Sequence, residues 1–192
     1  MRKGLQLLLA VVLGLGTIAP AFASSANDLL SDNQPSDNQL FEQRLSGEVH
    51  HALAMIPEFT IFDNLSYRID GGTVTLYGQV RNAVIKSEAQ SLVKHLQGVQ
   101  RVNNQIEVLP ASFNDDRIRR QVARTLFGDP RLSTYSIQPV PPIHIIVKNG
   151  HVDLEGVVRT QTDKDTAFIR ANGVPGVFSV DNNLRVEKPR HG

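Results

Sequence analysis

The sequence has no cysteine. Disulfides are excluded, and so is a lipid anchor on a cysteine, so stability has to come from packing alone. A surplus of one charge is also missing. The whole chain carries 20 Lys and Arg against 19 Asp and Glu, and without Arg2 and Lys3 the balance is 18 to 19. A global nucleic-acid-binding charge is therefore not supported. Long apolar runs are scarce too: the exception is Leu5–Ile18, preceded by Arg2 and Lys3 and followed by Ala21-Phe22-Ala23. A basic end, a short apolar stretch and a small-x-small site make a secretory signal cleaved after Ala23. A retained anchor is the competing reading, but the run is short for a span and Pro20 interrupts its end.

Signatures of catalysis are equally sparse. Neither G-x-S-x-G, H-E-x-x-H nor a P-loop occurs, and no nucleophile stands in an activating context. Asp115-Asp116 suits the acidic first turn of a helix. Of six histidines, His50 and His51 are adjacent and would point about 100° apart on a helix. His144 and His151 flank an Asn149-Gly150 turn and could be neighbours on paired strands. Four-ligand metal spacing is missing. No enzyme, metal or cofactor is expected.

What the chain does contain is one pattern written twice. Residues 72–108 align with 150–186 at a constant offset of 78, with 13 identities in 37 positions. Among them are Gly72/Gly150, Gly78/Gly156, Gly98/Gly176 and Asn104/Asn182, interleaved with valines and leucines. Upstream the offset is 73, matching Arg44, Leu45, Val49 and Leu53 to Arg117, Ile118, Val122 and Leu126. The second copy thus carries five extra residues around "STYSIQPVPPI", where three prolines favour an extended loop over added helix.

Each copy reads as helix, strand, strand, helix, strand. Leu45, Val49, Leu53 and Ile56 recur at helical spacing, with Asn114 the expected N-cap in copy two. Gly71-Gly72 and Asn149-Gly150 are hairpin turns of the type needing positive φ at both centres. The second strand alternates through Val74, Leu76, Gly78 and Val80. Gly78, on the inward parity, would let a helix approach the sheet closely or mark a β-bulge. Ile85, Ala89, Leu92, Val93 and Leu96 form the next helical stripe, with Ala167, Phe168, Ala171 and Val174 in copy two. Val99–Val108 and Val177–Val186 form the third strand. A strand–helix–strand crossover favours parallel pairing. The expected fold is α+β: two tandem αββαβ units, each a small mixed three-stranded sheet with two helices on one face.

The stretches "GGTVTLYGQVR" to "LQGVQRVNNQIEV" and "NGHVDLEGVVR" to "VPGVFSVDNNLRV" resemble the BON domain, named from bacterial osmotically inducible and nodulation proteins. The resemblance implies a periplasmic envelope protein of a Gram-negative-type bacterium, binding phospholipid or another envelope component without catalysis. Lacking an acylated cysteine, the chain looks more like the soluble, osmotic-stress type than the lipoprotein members. The expected layout is a signal peptide over 1–23, a flexible leader over 24–40, domains over 41–110 and 111–188, and a tail over 189–192.

The first helices of the copies differ most in charge. Arg117, Arg120 and Arg124 follow i, i+3, i+7 spacing and form a basic stripe, with Arg119 on another flank. Such a stripe can hold phosphate head groups, so these three are the candidate anionic-lipid contacts. The alternative is a solvated helix face, with function residing in exposed sheet edges that bind proteins or serve a protective structural role. Gly72, Gly78, Gly98, Asn104, Gly150, Gly156, Gly176 and Asn182 read as fold positions. The expected partner is anionic phospholipid or an envelope protein, with no nucleic acid and at most peripheral membrane contact. The linker Leu109–Phe113 is short, so the copies should pack together, with Phe113 a candidate contact.

Overall fold

The computed structural model describes residues 36–138 and 141–188. The signal peptide, the leader up to Pro35 and the tail lie outside the described residues. No helix among the described residues is long and apolar enough to cross a membrane.

Copy one runs α1 (Asp37–Ala54), β1 (Asn64–Asp70), β2 (Thr73–Val80), α2 (Ala83–Lys94), β3 (Arg101–Asn104) and β4 (Glu107–Val108). Copy two runs α3 (Phe113–Phe127), α4 (Ser133–Ser136), β5 (Ile143–Lys148), β6 (His151–Val158), α5 (Gln161–Asn172), β7 (Ser179–Asn182) and β8 (Arg185–Val186). In each, the hairpin is antiparallel and the crossover strand lies parallel to the central β2 or β6. The fold is α+β, two tandem units with mixed sheets. The apolar stripes of both helices meet the sheet on one face. Leu45 and Val49 of α1, Ile85, Ala89 and Val93 of α2, and Val74, Leu76 and Val80 of β2 share one core. Ile118, Val122, Ala167, Ala171, Val152, Leu154 and Val158 rebuild it in copy two. Leu92 and Phe168, assigned to these stripes from spacing, are exposed.

Several expectations are corrected by the geometry. The helix α1 begins at Asp37, so residues 37–40 belong to a helix rather than the leader. Ser36 is its N-cap, and Ser36 with Gln39 makes a reciprocal capping box. In α3 the cap is Ser112, two residues before Asn114, because its hydroxyl accepts from Asp115 N–H. The five-residue insert is not wholly extended, since α4 forms ahead of the prolines. Only the second hairpin turn is left-handed at both centres, at Asn149 and Gly150, whereas in the first only Gly71 is.

The third strand is two short stretches in each copy, interrupted at Gln105–Ile106 and at Asn183–Leu184. The adjacent asparagine fills each gap. Asn104 donates to Lys86 O (2.9 Å) and accepts from Ile106 N–H (3.2 Å). Asn182 donates to Lys164 O (2.8 Å) and accepts from Leu184 N–H (3.4 Å).

The strand glycine has a different reason from the one expected. Gly78 and Gly156 take φ of +117° and +116°, in the region that side chains other than glycine's seldom tolerate. A Cβ there would lie 2.0 Å from Asn64 O or 1.9 Å from Pro142 O. What approaches is thus the neighbouring antiparallel strand or the residue before it, not a helix. Registers run through both positions with no unpaired residue, so there is no bulge.

The copies touch through the loop before β1. Ile145 N–H donates to Ile61 O (2.7 Å), Ile61 and Phe62 pack against the second core, and Phe59 lies 5.4 Å from the His144 ring. Lys148 pairs with Glu107 at 2.5 Å. Phe113 is not part of this contact. It is 97% exposed, because the Ser112 cap turns the first residue of α3 outward.

Candidate functional site

The helix α3 forms because an apolar stripe at 118, 122 and 126 is seated in the core and Ser112 closes its first turn. That seating leaves Arg117, Arg120 and Arg124 on the opposite, exposed face. Arg117 bonds Asn114 Oδ1 (2.8 Å) and Gln121 Oε1 (3.3 Å), and Arg124 Nε bonds Arg120 O (3.2 Å). All these acceptors are neutral. Among the described residues no carboxylate pairs with the three guanidinium groups.

The fourth arginine behaves differently. Arg119 is 3% exposed, pairs with Asp116 at 2.6 Å and donates to Val147 O of β5. It is a fixture between helix and sheet. The two adjacent carboxylates also part company. Asp116 takes Arg119, while buried Asp115 accepts from Asn149 N–H (3.0 Å) and Gly150 N–H (2.9 Å), tying α3 to the second hairpin turn. A helix-dipole role does not exhaust either one.

The turn held by Asp115 brings an aromatic beside the stripe. Phe178 is 78% exposed and its ring covers Gly150, while Gly176 lies under Arg117, whose Nη2 would be 3.0 Å from a Cβ there. Arg124 borders the Gly173–Pro175 loop. Phe113 stands one turn before Arg117. The surface therefore combines three cations without counter-ions and two exposed phenyl rings. The repeat alignment holds a signal for Phe178, since its counterpart is Gln100, whereas strand patterning alone sets neither residue apart.

Other sequence candidates separate. His144 faces Glu155 and His151 faces Lys148 across the hairpin, so the two histidines lie on paired strands without being neighbours. His151 instead contacts Ser179 Oγ at 2.7 Å and the Phe178 ring at 6.0 Å. No group of three potential metal ligands gathers among the described residues. Gly72 and Gly98 lie against Gln100 and Phe41 of copy one, in loops that pack rather than line a cleft.

Comparison with known proteins agrees with the repeat. The BON domain model matches twice, over residues 44–110 and 114–188. The outer membrane lipoprotein DolP of Haemophilus influenzae is 29% identical over 181 residues, covering 92% of this chain and 86% of its own length. Osmotically-inducible protein Y of Escherichia coli is 29% identical over 125 residues, covering 65% of this chain and 62% of its own. The C-terminal domain of CdsD, a structural protein of the type III secretion system of Chlamydia trachomatis, aligns with 75% of this chain and 98% of that domain at 14% identity, with a TM-score of 0.27. With two domain matches spanning most of its length, the chain belongs to the BON domain family.

Proposed function

We propose that the protein is a non-catalytic, periplasmic envelope-binding module whose second domain docks on anionic phospholipid through α3. The observation that carries this reading is the exposed, uncompensated trio Arg117, Arg120 and Arg124 with Phe113 and Phe178 beside it. Guanidinium groups can take phosphate oxygens in pairs, and each cation near an anionic surface is worth about 1 kcal/mol. The phenyl rings supply an apolar contact that charge alone would not. Relatives named for the outer membrane and for osmotic induction support an envelope location.

Co-sedimentation with vesicles tests it. The exported protein should bind anionic vesicles at low salt, ignore zwitterionic ones, and release as salt rises. Changing Arg117, Arg120 and Arg124 together to Glu should abolish binding with the thermal unfolding curve unchanged, because none of the three is buried. Binding that survives in the triple variant, or that ignores lipid charge, would overturn the reading.

A further inference from the structure

The pair of first helices yields a second site, on copy one. In copy two the space between α3 and β5 is occupied by Arg119, held by Asp116 and by Val147 O. The repeat offset places Ser46 at the position of Arg119 and Tyr67 at that of Ile145, so the space between α1 and β1 is filled only as far as the Tyr67 hydroxyl, which reaches Ser46, and stays open beyond it. It forms a groove of about 490 Å³ lined by Gln39, Glu42, Gln43, Ser46, Tyr67 and Ile69. That volume lies within the ~300–1,000 Å³ usual for ligand sites.

We infer that this groove receives an arginine side chain presented by a partner protein, in the manner in which copy two receives its own Arg119. Three features argue for arginine. First, Ile69 sits opposite Val74 just as Val147 sits opposite Val152, so its carbonyl points to the same side of the strand as the one that accepts from Arg119. Among the described residues, no donor from outside the strand ladder reaches it. Second, a carboxylate is present. Asp116, which holds Arg119, has neutral Gln43 as its counterpart, so the carboxylate comes from one position earlier: Glu42, the counterpart of Asp115, makes no bond to the Gly71-Gly72 turn and its longer side chain lines the groove. Third, the floor is built and polar: Tyr67 OH donates to Ser46 O (2.9 Å) and lies 3.0 Å from Ser46 Oγ. A planar, forked donor reaches a carboxylate and a carbonyl together, which a lysine ammonium does less well.

The test is a titration of the exported, ¹⁵N-labelled protein with acetyl-Gly-Arg-Gly-amide, alongside the same peptide carrying citrulline, which keeps the shape without the charge. The arginine peptide should shift the amides of Glu42, Ser46, Tyr67 and Ile69 saturably, and the citrulline peptide should bind at least about tenfold more weakly. Ser46→Arg fills the groove from within and should eliminate the shifts. Glu42→Gln, on an exposed side chain that leaves the fold intact, should weaken binding about tenfold. Equal binding of both peptides, undiminished binding to Ser46→Arg, or no saturable shift at millimolar peptide in the folded protein would overturn the inference. Vesicle binding through α3 stands or falls separately, since no groove residue belongs to it.

Discussion

The first helices of the two domains are the same element put to different uses. At equivalent positions, Arg44 of α1 is paired with Glu48 at 2.7 Å, whereas Arg117 of α3 meets neutral Gln121. Gly47 and His51 stand where α3 has Arg120 and Arg124, and Leu40 stands where it has Phe113. The apolar stripes are shared almost residue for residue. Duplication has kept the core-facing side and rewritten the solvent-facing side, so function is to be sought in what differs between copies and stability in what agrees.

The sharpest way to break that division is to alter a position where the copies agree. Gly78→Ala and Gly156→Ala should each cost at least about 3 kcal/mol, because positive φ and a backbone carbonyl at 2.0 or 1.9 Å act together. Urea unfolding should show losses of similar size in both. A large loss at one and tolerance at the other would mean the repeats are not equivalent even in their sheets.

Next in size is a position that aligns but has diverged in task. Asp115→Ala strands the N–H groups of Asn149 and Gly150 and should cost about 2–3 kcal/mol, while Glu42→Ala should cost under ~0.5 kcal/mol. A parallel divergence occurs after the second strand. The Arg81 N–H is taken by the fully buried Asp63 carboxylate (2.8 Å), and the Arg159 N–H by Tyr135 OH (2.8 Å), which in turn donates to Asp163. One backbone need is met by two chemistries.

These examples explain what could be read from the chain alone. Periodicity and turn residues reveal the element order, the offset of 78 reveals the duplication, and valines at alternate positions reveal the central strand. The arginine stripe is legible because three residues on one helix need only helical geometry to be brought together. The interruption at Gln105–Ile106 is not legible, since it arises from a side chain, Asn104, bonding its own backbone two residues on. Nor are the Arg119 plug and the Ser46 groove, which depend on how deeply each helix sits against its sheet. The exposure of Phe113 is not legible for a similar reason: helix phase decides whether a phenyl ring faces the neighbour or the solvent.

A smaller effect should follow from restoring copy one's ion pair in copy two. Gln121→Glu places a carboxylate beside Arg117 as Glu48 lies beside Arg44. Anionic vesicle affinity should fall about five- to tenfold, the effect of roughly one charge at the surface, with little change in stability. The reverse change, Glu48→Gln, should not create vesicle binding in copy one, because Gly47 and His51 leave Arg44 alone. Gain of binding there would mean that one free arginine is enough.

The smallest effect should come from the contact between the copies. His144 of β5 packs on Phe59, near the backbone carbonyls of Thr60 and Asp63, with the Asp63 carboxylate and Glu155 also facing it. Burial depresses its pKa below the usual imidazole value, and those acceptors and carboxylates only partly oppose the shift. From about pH 7.5 upward the ring is essentially neutral in both folded and unfolded chains, so its contribution is constant. As pH falls through the window between the unfolded value and the depressed folded one, the unfolded chain takes a proton that the folded chain resists. Stability is therefore lost with acidification in that window. The copy-one counterpart is Ser66, which cannot titrate there. His144→Ser should thus give a protein less stable overall but with a flatter melting temperature between pH 7.5 and 5.5. An equally steep profile in the variant would assign the acid sensitivity to other groups and leave this contact indifferent to pH.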